Sequence, residues 1–262
     1  TTIDLAGHKL YYSSGNSNKD DRNSVCTFIT IKSGSTLNIE GTAVDSPTEA
    51  ASGDPGRPAT MQFDDESVPQ SLTYYVTEST PNSFGTSENT YQHTVTNFGA
   101  IVACKAGFVN QVISVEEGGT LNLKGGMITT PRTLGYDGHV ILSRGTVNIS
   151  GGYVTNGNGG GWGGGLCVTG ANASLEMTNG VIAGNKAASG GGIFANEGAV
   201  LNLSGGVISG NATYAKDIDD GNNVGLGGYG GGVYTQGAYV TISDSANITN
   251  NRAEARIANG WF

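Results

Sequence analysis

The sequence predicts an all-β protein built as a parallel β-helix solenoid of about seven or eight coils, with loop insertions along one edge. Three features lead there. A strand-forming motif recurs about every 26 to 28 residues, glycine pairs punctuate each copy, and no segment longer than a turn carries a 3.6-residue apolar period. A strand this short cannot bury its apolar side alone, so each copy must stack on its neighbours.

The copies read GGTLNLKGGMIT from Gly118, GTVNISGGYVT from Gly145, NASLEMTNGVIAGN from Asn172 and AVLNLSGGVISGN from Ala199. Outlying versions are STLNIEGTAV from Ser35 and AYVTISDSANITNN from Ala238. With Leu123 as anchor, the equivalents are Ile149, Met177, Leu203 and Ile242, at spacings of 26, 28, 26 and 39. Ile39 stands 84 residues before Leu123, which leaves room for further coils or for insertions.

One unit divides into three strands, at residues 192–195, 200–203 and 207–209 in the copy around Leu203. Alternation such as Leu201 in, Asn202 out, Leu203 in is the period of a half-buried strand. Glycine pairs at 125–126, 151–152 and 205–206 mark corners. The GGG runs at 163–165, 190–192 and 230–232 recur ahead of the first strand and lack the Lys-Ser/Thr of a phosphate loop, so they too read as corners. Asn185, Asn211 and Asn251 occupy one equivalent position, which predicts an inward amide ladder. Asn38, Asn122, Asn148 and Asn202 alternate with apolar residues and read as a solvated face.

Bulk composition narrows the function. Lys and Arg number 13 against 22 Asp and Glu, a net charge of −9, which offers no basic stripe for nucleic acid. No run of 18 apolar residues occurs, so no membrane-inserted helix is expected. Charged residues make up only 13% while Ser, Thr and Asn are abundant, a surface style that points to a secreted or cell-surface protein whose signal is removed or lies upstream. Cys167 reads as a small buried apolar residue, and pairing of Cys26 with Cys104 stays open. Residues 1–262 read as one domain, with 45–111 a large insertion and irregular coils inside it. At the far end either Trp261 and Phe262 fold back as a lid or a second chain or domain caps the stack.

Function is expected where the repeat is interrupted. Insertions fall at 131–139, 157–165 and 213–232, with a larger departure after Val44. Stacked copies would bring these loops side by side. They carry Asp137, Asp217, Asp219 and Asp220, with Asp45, Asp54, Asp64, Asp65 and Glu66 in the large insertion, together with His139 and the aromatic residues Tyr136, Trp162, Tyr214 and Tyr229. Aromatic faces suit sugar rings and paired carboxylates suit glycosidic bond cleavage, one as acid and its partner as nucleophile or base. Asp217 and Asp220 are therefore the expected catalytic pair with Asp137 in reserve. Trp162, Tyr136, Tyr229, Tyr214 and His139 are the expected substrate contacts. No cofactor or metal is expected, and the partner is an oligosaccharide. Two rival readings use the same loops: a non-enzymatic glycan-binding or adhesin-like module, and a calcium-dependent lyase, for which Arg132 and Arg144 are the available bases.

The units GGTLNLKGGMIT, GGGIFANEGAVLNLSGGVISGN and GGGVYTQGAYVTISDSANITNN resemble coils of secreted right-handed β-helix proteins of gut bacteria. Over about residues 112–251 the chain looks like the catalytic domain of the lacto-N-biosidase family. That resemblance implies a right-handed solenoid and a retaining glycosidase acting with two aspartates on milk-type oligosaccharides. No aspartate pair in residues 213–230 reproduces that family's spacing, Asp217 falling opposite Val224, so the catalytic roles rest on loop content.

Overall fold

The computed structural model describes residues 1–12, 27–50, 57–64, 68–83, 85–103, 110–131, 138–214, 228–243 and 245–253. Among them the strands divide into sheets of twelve, six, four and two strands. The repeats set the register. Leu123 pairs with both Ile39 and Ile149, Ile149 with Met177, Met177 with Leu203 and Leu203 with Ile242, all in parallel.

Alternation then decides what is buried. Leu121, Leu123, Val147, Ile149, Leu175, Met177, Leu201 and Leu203 share one core, where each large aliphatic side chain contributes about 1.5–3 kcal/mol. The outward asparagines do more than meet solvent. Asn148 donates from Nδ2 to Oδ1 of Asn122 at 2.8 Å, and Asn122 donates to Asn38 at 2.7 Å.

The expected right-handed β-helix solenoid of seven or eight coils does not form. Thr146–Thr155 and Ser174–Ala183 are single strands that run on through their Gly151-Gly152 and Asn179-Gly180 bends. Each pairs with one neighbour before the bend and another after it, as Thr146–Thr155 does with Thr120–Leu123 and Met127–Thr129. The twelve-stranded sheet consequently doubles back on itself and curls into a half-barrel. A separate six-stranded sheet, of Thr27–Ile31, Gln111–Val115, His139–Ser143, Leu166–Thr169, Ile193–Asn196 and Val233–Gln236, faces it across the core.

Within the insertion after Val44, the described residues of 44–96 add no parallel strand, and Ala100–Ala103 rejoins the twelve-stranded sheet in parallel. Val44–Glu49, Thr60–Phe63, Pro69–Asn82 and Gly85–Thr96 form an antiparallel sheet, with Pro47 on an edge strand where its missing N–H costs nothing. Leu72, Tyr74 and Val76 alternate onto one face and meet Met127, Val181 and Ala183 in a second core. This sheet therefore covers the outside of one arm of the half-barrel.

Asp45 sits within that cover. Its Oδ2 accepts from the Tyr74 hydroxyl at 2.9 Å and stands 2.9 Å from Nδ1 of His93, whose ring stacks on Tyr74. Burial first, and the Asp45 charge second, push the Tyr74 phenol well above the usual tyrosine range. The same two causes push Tyr153 up to about 12. The unfolded chain then gives up these protons more readily than the folded one. Stability owed to a protonated Tyr153 is complete below about pH 10 and is lost as pH rises through about 12. Urea unfolding at about pH 9 and about pH 11 is expected to show a smaller alkaline loss in Tyr153→Phe than in the parent protein.

The inward asparagines form a continuous chain. Oδ1 of Asn211 accepts from both the backbone N and Nδ2 of Asn185 at 3.0 Å, while Asn211 donates to Asn251 Oδ1 and to the Ile182 carbonyl. Asn185 continues to Gly157 and the Val154 carbonyl. Replacing Asn211 by Ala removes the acceptor used by Asn185 on one side and the donor to Asn251 Oδ1 and the Ile182 carbonyl on the other, and the loss expected in chemical denaturation is about 1–3 kcal/mol.

Candidate functional site

The outer surface of the six-stranded sheet is built by the same alternation that fills the core. Ile29, Ile113, Ile141, Leu166, Ile193 and Val233 point inward in register. The next residue of each strand points out, giving the row Thr30, Ser114, Leu142, Cys167, Phe194, Tyr234. Two residues further on runs a parallel row of Lys32, Glu116, Arg144, Thr169, Asn196 and Gln236. Strand geometry sets the two rows about 7 Å apart and neighbours within a row about 4.8 Å apart. Between the corner at Trp162 and this polar row lies an open groove of about 620 Å³.

The corner itself is a repeat feature. Trp162, Ser189 and Tyr229 each precede a GGG run, and they bridge in parallel, Trp162 to Ser189 and Ser189 to Tyr229. Gly163 follows Trp162 with φ +66°, the left-handed region, and a methyl group there would overlap the Leu166 carbonyl. His139, only 5% exposed, donates from Nδ1 to the Gly163 carbonyl at 2.9 Å, which fixes a proton on that nitrogen. Backbone geometry and a buried imidazole together aim Trp162.

The Trp162 ring lies over Phe194 with centroids 5.4 Å apart and planes 15° from parallel. Phe194 is buried at 1%, whereas Trp162 is 54% exposed, so the indole keeps one face for a ligand. Tyr234 adjoins Phe194 at 5.8 Å, and Tyr229 stacks on Tyr234 at 5.4 Å. The result is a continuous aromatic strip ending in the half-exposed Tyr229.

The expected contacts separate on this surface. Trp162 and His139 line the groove, and Tyr229 joins the strip beside it. Tyr214 serves the corner: its hydroxyl donates to the Gly159 carbonyl at 2.6 Å and Lys186 sits 5.6 Å from its ring centroid. Tyr136, Asp137, Asp217 and Asp220 lie outside the described residues. Among the described residues the carboxylates that line the groove are Glu116 and Glu197. Glu116 is paired with Lys32 at 2.7 Å, and Glu197 accepts from the Thr169 hydroxyl at 3.1 Å. No group of three or more His, Cys, Asp or Glu side chains is placed to hold a metal among those residues.

Phe194, Tyr234, Asn196 and Glu197 were not among the expected contacts, and Arg144 was named only as a lyase base. The signal for the two aromatic residues is present in Ile193-Phe194 and Val233-Tyr234, where an inward aliphatic residue dictates an outward ring. Glu197 adopts φ +53° at the position equivalent to Gly170 and Gly237, a conformation that residue type does not announce.

No protein-family model, curated protein or solved structure matches this chain. The resemblance to the lacto-N-biosidase family is not upheld, since the separate sheets also depart from the continuous solenoid it implies.

Gly163→Ala tests whether the corner aims the indole. The forced φ and the overlap with Leu166 are expected to cost about 1–3 kcal/mol in thermal or urea unfolding and to shift the Trp162 fluorescence maximum.

Proposed function

We propose that this protein is an extracellular glycan-binding module, with the groove on the six-stranded sheet as its binding surface. The observation that carries the reading is the exposed indole of Trp162 held against a buried Phe194, beside a row of polar side chains. An aromatic face takes the C–H face of a sugar ring, and Thr169, Asn196 and Gln236 offer hydrogen bonds to its hydroxyls. The Trp162 ring is already stacked on the buried Phe194 without a ligand, and such preorganisation limits the ordering cost of binding. A surface poor in charge and rich in Ser, Thr and Asn supports the extracellular placement. Among the described residues no helix is long and apolar enough to cross a membrane.

Binding without turnover is preferred because both carboxylates that line the described groove already have partners. A hydrolytic reading would draw instead on Asp217 and Asp220, or Asp137.

The test is titration calorimetry against defined neutral and acidic oligosaccharides, with reducing-end release followed in the same samples. Trp162→Ala is expected to weaken binding about 10- to 100-fold with an unchanged circular dichroism spectrum. Undiminished binding in that variant would remove the groove from the reading. Product release that disappears in an Asp217→Asn, Asp220→Asn double variant would replace binding by hydrolysis.

A further inference from the structure

We infer that the groove selects acidic glycans, with the ligand's carboxylate or sulfate on Arg144 and a neighbouring ring on Trp162. This rests on the glycan-binding reading and adds the class of sugar.

Charge bookkeeping along the polar row supports the assignment. Lys32 and Glu116 neutralise one another at 2.7 Å, and Glu197 at the far end accepts from Thr169. Among the described residues, the Arg144 guanidinium lines the groove with no side-chain hydrogen bond or ion pair. An anionic oxygen group is the ligand chemistry that complements it, because the planar fork of N–H donors matches two oxygens of a carboxylate or sulfate.

Register gives the spacing. Arg144 belongs to the strand His139–Ser143 by its backbone bond to the Val115 carbonyl, and Ser143 pairs with Val168 while Val168 pairs with Ala195. Arg144 therefore stands two strand spacings, about 9.5 Å, from Asn196, and the Trp162–Phe194 stack lies on the neighbouring row about 7 Å from Asn196. A single sugar centred on the indole would not reach both ends of this arrangement, whereas a short oligosaccharide laid across the strands would. Asn196 adds a further polar feature, since its Oδ1 has no hydrogen-bond partner, and rotation of its amide would turn an acceptor toward ligand hydroxyls.

The charges also set a direction. Glu197 repels an anion at the Asn196 end, so the acidic group must lie toward Arg144. This local pairing matters more than the net charge of −9, which is screened beyond about 8–10 Å at ordinary salt.

The experiment compares galactotriose, trigalacturonate and sulfated galactotriose by calorimetry, on the parent protein, Arg144→Gln and Trp162→Ala, at low and at high salt. Expected is a preference of about tenfold for at least one acidic trisaccharide at low salt, equivalent to ~1.4 kcal/mol. That preference is expected to shrink with salt and to vanish in Arg144→Gln. Preference for trigalacturonate alone identifies a carboxylate ligand, and preference for the sulfated sugar alone identifies a sulfate. Equal binding of all three, or a preference that survives in Arg144→Gln, overturns the acidic assignment and leaves glycan binding standing. Absence of binding to any of the three defeats this inference, and Trp162→Ala binding as well as the parent defeats the glycan-binding reading beneath it.

Discussion

Each repeat must hydrogen-bond to the one before it in a set register, whatever the length of chain between them, and the rest of the structure inherits that register. When Leu123 is set beside Ile149, every second residue on either side is committed to the core or to the surface, because a slip of one residue would reverse them all. The inward set is aliphatic throughout the half-barrel. The asparagine chain reinforces the alignment of the repeats from another corner, since Asn211 reaches Asn185 and Asn251 through one carbonyl and one amide. Hydrophobic burial tolerates a slip of two residues, which returns the same face to the core, whereas these amides are satisfied at a single alignment. They supply the specificity that burial lacks.

The same pairing register builds the candidate site. The row containing Phe194 and Tyr234 is outward only because Ile193 and Val233 are inward. Trp162 stacks on Phe194 from a corner where its backbone bridges to the buried Ser189. The candidate surface is thus a consequence of core packing on the other side of the same strands.

Much of this was legible in the residues, and the limits are physical. The anchors from Ile39 to Ile242 and the inward asparagines are periodic signals, which survive because every copy solves the same packing problem. Trp162 was legible because six glycines flank it and leave it no local neighbours. How the strands would join into sheets was not, since a glycine pair looks alike whether a strand stops there or, as in Thr146–Thr155, bends and continues. The antiparallel sheet at 44–96 was hidden for a different reason. Its alternation of Leu72, Tyr74 and Val76 is a clear strand signal, yet a strand signal does not name its partner, and the core it meets comes from residues as distant as Val181.

That sheet shows how an interruption can be absorbed without disturbing the register. Thr36–Glu40 and Ala100–Ala103 are separated by the long excursion through the antiparallel sheet, but they occupy the places that Thr120–Leu123 and Met127–Thr129 occupy with three residues of corner between them. The chain leaves and returns at neighbouring points, so the closure entropy grows only logarithmically with the length inserted. Leu72, Tyr74, Val76 and Val95 then recover apolar burial against the outer residues of one arm of the half-barrel. The six-stranded sheet has no such cover among the described residues, and the aromatic strip lies on it. At the last repeat the contrast repeats, with Tyr239 and Ile242 exposed at 70% and 54% where their partners Val200 and Leu203 are flanked on both sides by strands. Of the two outer faces, one is thus covered by the antiparallel sheet, and the groove at Trp162, with polar side chains alongside its rings, is the one open to the ligand proposed above.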